Sequence, residues 1–274
     1  MTSICTLNVR GLRDNTKRST IFQFLKNKKL DIYMLQETHS TPDIENKWKS
    51  EWGSDMYFCH HTSASRGAMI LCAPHIQTTS IETDNSGRLV LMSIQKDNKT
   101  TLIANIYAPN DETEQIEFFN ALNRKLSGSI QYDVLIIGGD FNVHLNNIDK
   151  RGGQIANKRS KSSLRELMGN HLLIDIWRTT HPGQQQFTWE QPTKKIMTRL
   201  DYFLISRELS TNVIKCEITE SLLTDHKLVY LLLNQTTPKK TRGPGFWKFN
   251  NSLLLDKTFS TIRQLEIHGH TMVK

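Results

Sequence analysis

The chain has 274 residues, 37% hydrophobic and 23% charged, enough apolar material for a sizeable core in one large domain or two small ones. No apolar run approaches the ~20 residues of a membrane span, and the opening MTSICTLNVRG lacks a basic region followed by a long apolar stretch, so a soluble protein without a secretory leader is expected. A net charge of +8 (35 basic against 27 acidic residues) favours a polyanionic partner, while four scattered cysteines (Cys5, Cys59, Cys72, Cys216) with no CxxC pair read as reduced thiols of the nucleus or cytoplasm and build no zinc site.

Residues 3–9 (SICTLNV) predict a short strand, and 16–29 (TKRSTIFQFLKNKK) a helix with Ile21, Phe24 and Leu25 on one face. A strand over 30–37 (LDIYMLQE) follows, then a helix over 41–52 opened by Thr41 with Pro42 in its first turn. Segments 56–61, 67–73, 88–96 and 100–108 read as consecutive strands, the last two joined by a hairpin turn at Asp97-Asn98-Lys99. DETEQIEFFNALNRKL (111–126) is an amphipathic helix with acidic residues at its start, where the helix dipole favours them. Then come a strand over 132–139, a helical stretch around 160–171, strand candidates at 186–190 and 197–206, and closing strands at 213–221 and 226–233.

This pattern is neither strictly alternating βαβ nor all-β, and it predicts a mixed-sheet α/β sandwich over residues 1–235. Residues 236–274 differ in character. The stretch NQTTPKKTRGPG is a basic linker, and 246–267 is an amphipathic segment with nothing left to pack on, as at the start of a following domain.

Several apolar strands end in a polar residue: Asn8 in CTLNVRGL, Glu37 in IYMLQETH, Tyr107 in IANIYAPN, and Asp140 with Asn142 in VLIIGGDFN. The carboxyl ends of strands face the crevice where α/β sheets bind ligands. Asp201 lies inside an apolar strand (RLDYFLIS), where an unpaired carboxylate would cost several kcal/mol, so it needs a partner. His226 in TDHKLV offers one, and a buried Asp holding a His by its ring N–H fixes the tautomer or keeps the ring protonated. Singly, each residue has a structural explanation: a turn, a cap, a core tyrosine, a buried pair. Seven of them in this order, each tied to an apolar strand, point to one site.

As a set, LNVRGL, LQETH, NIYAPN, GGDFN, RLDYFLIS and TDH resemble the exonuclease–endonuclease–phosphatase superfamily, and within it the apurinic-type endonuclease domain of LINE-type (non-LTR) retrotransposons. The resemblance covers residues 3 to about 233; Thr224 stands where serine is more usual. It implies a four-layer α/β sandwich, two packed mixed β-sheets flanked by helices, with the site along one rim. It also implies a metal-dependent endodeoxyribonuclease that nicks one DNA strand and leaves a 3′-hydroxyl to prime reverse transcription, fused in its parent protein to a reverse transcriptase. A phosphatase or phosphodiesterase of the same superfamily, or a repair-type apurinic endonuclease, is the alternative. Carried onto this sequence, Glu37 holds Mg²⁺ (Mn²⁺ substituting) with Asn8 and Asp225 beside it. Asp140 activates water, steadied by Asn142; His226, held by Asp201, donates to a phosphate oxygen, and Tyr107 donates from the other side.

Basic residues cluster in four polar stretches at 13–18, 149–161, 193–195 and 238–243. A phosphate backbone is the partner that fits them, so Arg13, Lys17, Arg18, Arg151, Lys158, Arg159, Lys194 and Lys195 are expected to contact double-stranded DNA, with Thr188 directing a hydroxyl toward the phosphate or the neighbouring loop. The EQPTKKI turn, bracketed by Thr188 and Asp201, is expected to project toward DNA and bias the choice of nick site by groove shape. As a domain the chain is expected to be monomeric.

Overall fold

The computed structural model describes residues 1–128, 130–153, 158–191, 193 and 195–234. The predicted linker and following segment at 236–274, the basic stretch at 238–243, Pro192 and Lys194 lie outside the described residues. In chain order the elements are β1 (Thr2–Asn8), α1 (Asn15–Lys28), β2 (Ile32–Gln36), α2 (Glu45–Trp52), β3 (Met56–Cys59), β4 (Ala68–Cys72), β5 (Thr78–Thr83), β6 (Leu89–Lys96) and β7 (Lys99–Tyr107). They continue with α3 (Glu112–Leu126), β8 (Val134–Asp140), β9 (Lys150–Arg151), α4 (Lys158–Asn170), β10 (Leu173–Asp175), α5 (Ile176–Thr180), β11 (Trp189–Gln191), β12 (Ile196–Thr198), β13 (Asp201–Ser206), β14 (Val213–Thr219) and β15 (Leu228–Leu233).

Two six-stranded sheets carry the fold, ordered β14-β15-β1-β2-β4-β3 and β10-β13-β8-β7-β6-β5. Each is mixed: β1 with β2 and β7 with β8 run parallel, and the other pairs antiparallel. The central strands β1, β2, β4 and β8 are buried on both faces, so each supplies two cores by alternation. In β2, Ile32 and Met34 face the inter-sheet core with Ile103, Ile136 and Phe203 of the second sheet, while Tyr33 and Leu35 face α1 and α2. Likewise Leu135 and Ile137 of β8 pack against Phe119 and Leu122 of α3 and Leu164 and Leu167 of α4. The order helix, sheet, sheet, helix is the four-layer sandwich expected. All four cysteines are free and buried, and among the described residues no helix is long and apolar enough to cross a membrane.

Local differences have local causes. In α1 the fully packed residues are Ile21, Phe22 and Leu25, with Phe24 only partly covered. The predicted helix at 41–52 opens with a 3₁₀ turn, Pro42–Ile44, before α2. The stretch 197–206 is split between β12 and β13, and 186–190 becomes extended only at Trp189. A third, three-stranded sheet, β11-β12-β9, pairs Lys150 and Arg151 of the basic stretch 149–161 with Thr198 and Met197, just after Lys195.

Candidate active site

The site is assembled at one end of both large sheets. Register places Asn8 beside Gln36 across β1 and β2, and Asp140 between Tyr107 of β7 and Asp201 of β13. The paired glycines before Asp140 are a packing requirement. A Cβ on Gly138 would meet the Phe203 ring at 2.5 Å, and one on Gly139 (φ 146°) would meet the Ile106 carbonyl oxygen at 2.0 Å. At the strand ends the chain turns sharply: Arg10, Glu37 and Asn142 all have left-handed φ, 48°, 51° and 50°. Non-glycine residues in that region are uncommon, and three of them lie at the strand ends that carry this cluster.

Asn8 ties the sheets together, its side-chain amide donating to Glu37 Oε1 (2.9 Å) and Asp140 Oδ2 (3.0 Å). The Tyr107 hydroxyl donates to the same Glu37 oxygen at 2.9 Å. Asn142 gives its backbone N–H to Asp140 Oδ1 (2.9 Å) and its side-chain amide to the Ala108 carbonyl (2.8 Å). Opposite, His226 Nδ1 lies 2.8 Å from Asp201 Oδ2, and His226 Nε2 lies 4.0 Å from Asp140 Oδ2. The Thr224 hydroxyl donates to the Asn8 carbonyl at 2.8 Å, which anchors the loop before His226 to the end of β1. Asp225 Oδ2 accepts from Arg10 (3.1 Å) and the Trp189 indole (3.2 Å).

Burial, and then the charge of Asp201, push the Asp140 carboxyl well above the ordinary carboxylate range. Burial works against a charged His226, but Asp201 first, with Asp140 and Asp225, outweighs it and raises the ring's pKa. Burial and the carboxylates of Glu37 and Asp140 push the Tyr107 phenol upward, so it stays a donor. Asp140, Asp201 and His226 bring ligand-type atoms within 4.8 Å of one another. Within this group His226 Nδ1 is paired with Asp201 Oδ2 at 2.8 Å, an arrangement that suits a shared proton. Glu37 is different: both of its named donors bond Oε1, and its carboxylate borders the cleft. The Glu37 carboxylate is a hard oxygen donor of the kind Mg²⁺ takes, whereas Asn8, expected beside the metal, turns its Nδ2 to Glu37 and its Oδ1 to the Arg10 N–H (3.0 Å) and so orients that carboxylate.

The cleft, about 510 Å³, also includes Arg10, Lys150, Thr198 and His144 among its walls. Of the basic residues expected at DNA, Arg13, Arg151, Lys158, Arg159 and Lys195 are exposed, and Lys17 is half-buried with its ammonium on the Arg10 carbonyl at 2.7 Å. Arg18 is a correction: it is buried, its guanidinium bonded to Glu51 (2.6 and 2.8 Å) and the Leu12 carbonyl (3.0 Å), and it braces α1. Thr188 makes the second of its two expected contacts, and its place among the DNA-contacting residues is corrected: fully buried, its hydroxyl oxygen accepts from Leu200 N (2.9 Å) and Asp201 N (3.0 Å) of the neighbouring segment, so it positions Asp201.

Sequence reading missed two buried supports. Gln36 donates to Thr6 (2.9 Å) and Asn105 (2.6 Å), and Asn105 donates to the Leu35 and Met69 carbonyls (3.0 and 2.8 Å). This polar knot crosses between the sheets directly beneath Glu37. The signal was available: an amide at each of two strand ends, in QET and NIYAPN. The second support is His144, whose Nε2 lies 2.8 Å from Lys161 Nζ. Lysine only donates, so Nε2 accepts and the proton sits on Nδ1.

That pair yields a pH prediction. Burial, with Lys161 and Lys150 nearby, lowers the His144 pKa to about 4. Unfolded, the ring takes up its proton near pH 6.5. The unfolded state therefore binds the proton first: the contribution is fully present above about pH 6.5 and is lost toward pH 4, by on the order of 3 kcal/mol. His144→Gln, whose carbonyl oxygen can accept the lysine bond, is expected to flatten this loss. Urea midpoints of both proteins near pH 7 and about pH 4.5 check it. An equal drop in the two rules the assignment out.

The description "endonuclease/exonuclease/phosphatase family" matches residues 5–226. Over 94% of its length the chain is 32% identical to an uncharacterized 149 kDa protein of transposon TX1 from Xenopus laevis, of which it spans 20%. It is 23% identical to craniofacial development protein 2 of Bos taurus over 87% of the chain and 42% of that protein. An AP endonuclease from Archaeoglobus fulgidus superposes with a TM-score of 0.72 at 16% identity, covering 85% of this chain and 99% of its own. At that identity the likeness is one of fold. The chain thus spans about a fifth to two-fifths of these two sequence relatives.

Proposed function

The chain belongs to the endonuclease/exonuclease/phosphatase family, whose members hydrolyse phosphoester bonds, and from that premise we propose that it is a Mg²⁺-dependent DNA endonuclease. It nicks one strand of duplex DNA and leaves a 3′-hydroxyl that primes reverse transcription of a retrotransposon. In this reading residues 1–235 are the endonuclease domain of a longer protein whose later part is a reverse transcriptase. The relative from transposon TX1, of which the chain matches only 20%, supports that arrangement. Reduced, buried thiols fit an intracellular setting.

One observation carries the chemistry: Asp140, nearly fully buried, is held by Asn8 and Asn142 and faces the His226–Asp201 couple across 4.0 Å. Asp140 takes a proton from the water that attacks phosphorus, which suits a carboxylate with a raised pKa. The bond from phosphorus to O3′ breaks in line; O3′ leaves and takes up a proton, giving a 3′-hydroxyl and a 5′-phosphate. The protonated His226 and the Tyr107 hydroxyl donate to non-bridging oxygens as charge builds there. Glu37, oriented by Asn8, would hold Mg²⁺ or Mn²⁺, with Asp225 on the same cleft wall where it also holds Arg10; the cation would supply Lewis-acid neutralisation of the phosphate. The wall formed by β9 and the turn before β12, carrying Lys150, Arg151 and Lys195, supports a polyanionic backbone as the ligand.

Supercoiled plasmid tests the reading. Open circles are expected with Mg²⁺, with ends that a polymerase extends directly. Chelator is expected to stop nicking without moving the thermal midpoint, because the core is built by strands. Glu37→Gln is expected to raise the Mg²⁺ concentration for half-maximal rate by roughly tenfold or more. An unchanged Mg²⁺ requirement would move the ligand elsewhere, and intact supercoils under all divalent cations would end the nuclease reading.

A further inference from the structure

Five large apolar side chains are strongly exposed among the described residues, and only two are neighbours: Leu222 and Leu223, 44% and 56% exposed. They sit directly before Thr224, Asp225 and His226. Leu223 also has φ 58°, a left-handed conformation that a bulky side chain rarely adopts. Paired exposure and backbone strain are both unfavourable in the free protein, and they coincide on one loop at the rim of the cleft. Observed strain of this kind is grounds for a functional hypothesis.

The loop is held firmly below its tip. The Ser221 hydroxyl bonds the His226 carbonyl, the Thr224 hydroxyl donates to the Asn8 carbonyl at 2.8 Å, and His226 N donates back to Thr224 Oγ1 at 3.3 Å. Two peptide units separate Leu223 from Asp225, which borders the cleft, so their Cα atoms lie within about 8 Å. An apolar tip that is rigid and close to the reacting phosphate can enter a gap between bases without first paying to order itself.

Resting on the DNA-nicking reading above, we propose that Leu222 and Leu223 form an apolar wedge that enters the base step beside the scissile phosphate and unstacks it. Inserted leucines kink DNA in this way, and the energy of unstacking depends on the step, least at flexible pyrimidine–purine steps. The wedge therefore also biases where the nick falls, through deformability and without hydrogen bonds to bases.

The test uses the strongest mapped nick site rebuilt as two oligonucleotide duplexes, one continuous and one with an unpaired bulge already opening that step. The variants are Leu222→Ser and Leu223→Asn, singly and together; asparagine tolerates left-handed φ, so the second is expected to melt no lower than the parent. On continuous duplex the double variant is expected to lose about tenfold or more in kcat/KM, and on the bulged duplex to stay within about twofold of the parent. In chelator, 2-aminopurine at the step is expected to brighten on binding the parent and to stay dark with the double variant. Equal losses on both duplexes, no loss on either, or a dark probe with the parent overturns the wedge while nicking by the parent keeps the enzymatic reading. A parent that binds and brightens the probe but cuts neither duplex overturns the enzymatic reading instead.

Discussion

Asp140→Asn and His226→Ala are each expected to lower the nicking rate by about 10²–10⁴-fold while leaving affinity for duplex DNA nearly unchanged. The two residues act on the reacting atoms, whereas affinity comes mainly from cations along the backbone track. Asp140→Asn keeps the shape of the side chain and removes the base. It also removes a negative charge 4.0 Å from His226, so any change in affinity for a polyanion is upward. His226→Ala leaves Asp201 buried without its partner, and Asp201 Oδ1 already has none. Its thermal midpoint is therefore expected to fall, and the rate comparison belongs well below that midpoint. Parallel nicking and gel-shift titrations decide the matter. A loss of affinity in step with the loss of rate would show that these residues bind and do not catalyse.

Legibility followed the length of each pattern. Strands such as β1, β2, β7 and β8 were readable because five or more consecutive buried residues leave a continuous apolar run. Their ends were readable because a polar residue closing such a run stands out, which is how Asn8, Glu37, Tyr107 and Asp140 could be named. β5 was missed: TTSIET is an edge strand with mostly exposed residues and shows no alternation of apolar type. β9, β10 and α5 were missed because two to five residues carry no period at all. Arg18 was misplaced for another reason. A basic cluster in sequence does not reveal which member turns inward, and Arg18 lies at helical spacing from Ile21 and Phe22, both buried. For Thr188 the sequence leaves phosphate and neighbouring segment both open, because it does not show that two backbone N–H groups beside Asp201 take the hydroxyl oxygen.

Arg199 shows what was not legible at all, and Arg199→Met is expected to destabilise the fold by roughly 3–5 kcal/mol. The sequence shows only an arginine two residues before Asp201. In the fold it is fully buried, bonding Asp149 through Nε and Nη2 (2.9 and 2.8 Å) and Asp175 through Nη1 and Nη2 (3.2 and 2.5 Å). Its guanidinium carbon lies 5.1 Å from the Trp177 ring centroid and 5.0 Å from that of Tyr202. Burial alone would disfavour the charge, but the two aspartates outweigh it and raise the pKa further, so the cation is permanent. Methionine fills much of the volume and leaves Asp175 without a cationic partner, while Asp149 keeps Arg178. Breaking such a pair is far more costly than never having built it. At roughly 2–4 °C per kcal/mol for a domain of this size, the midpoint is expected to fall by about 10 °C. Arg199→Lys separates charge from geometry: one ammonium cannot reproduce four bonds in a fixed fork, so it is expected to recover less than half of the loss. The fork ties the segment that enters β13 to Asp149 and Asp175, and in the variant only the backbone bond from Arg199 N to the Asp149 carbonyl (2.8 Å) remains to hold it. Below its midpoint the methionine variant is therefore expected to nick more slowly with unchanged Mg²⁺ requirement, because Asp201 loses its fixed base while Glu37 on the other sheet does not. A variant that melts with the parent would show that the fork is dispensable, and recovery by lysine to the parental midpoint would reduce its role to charge alone.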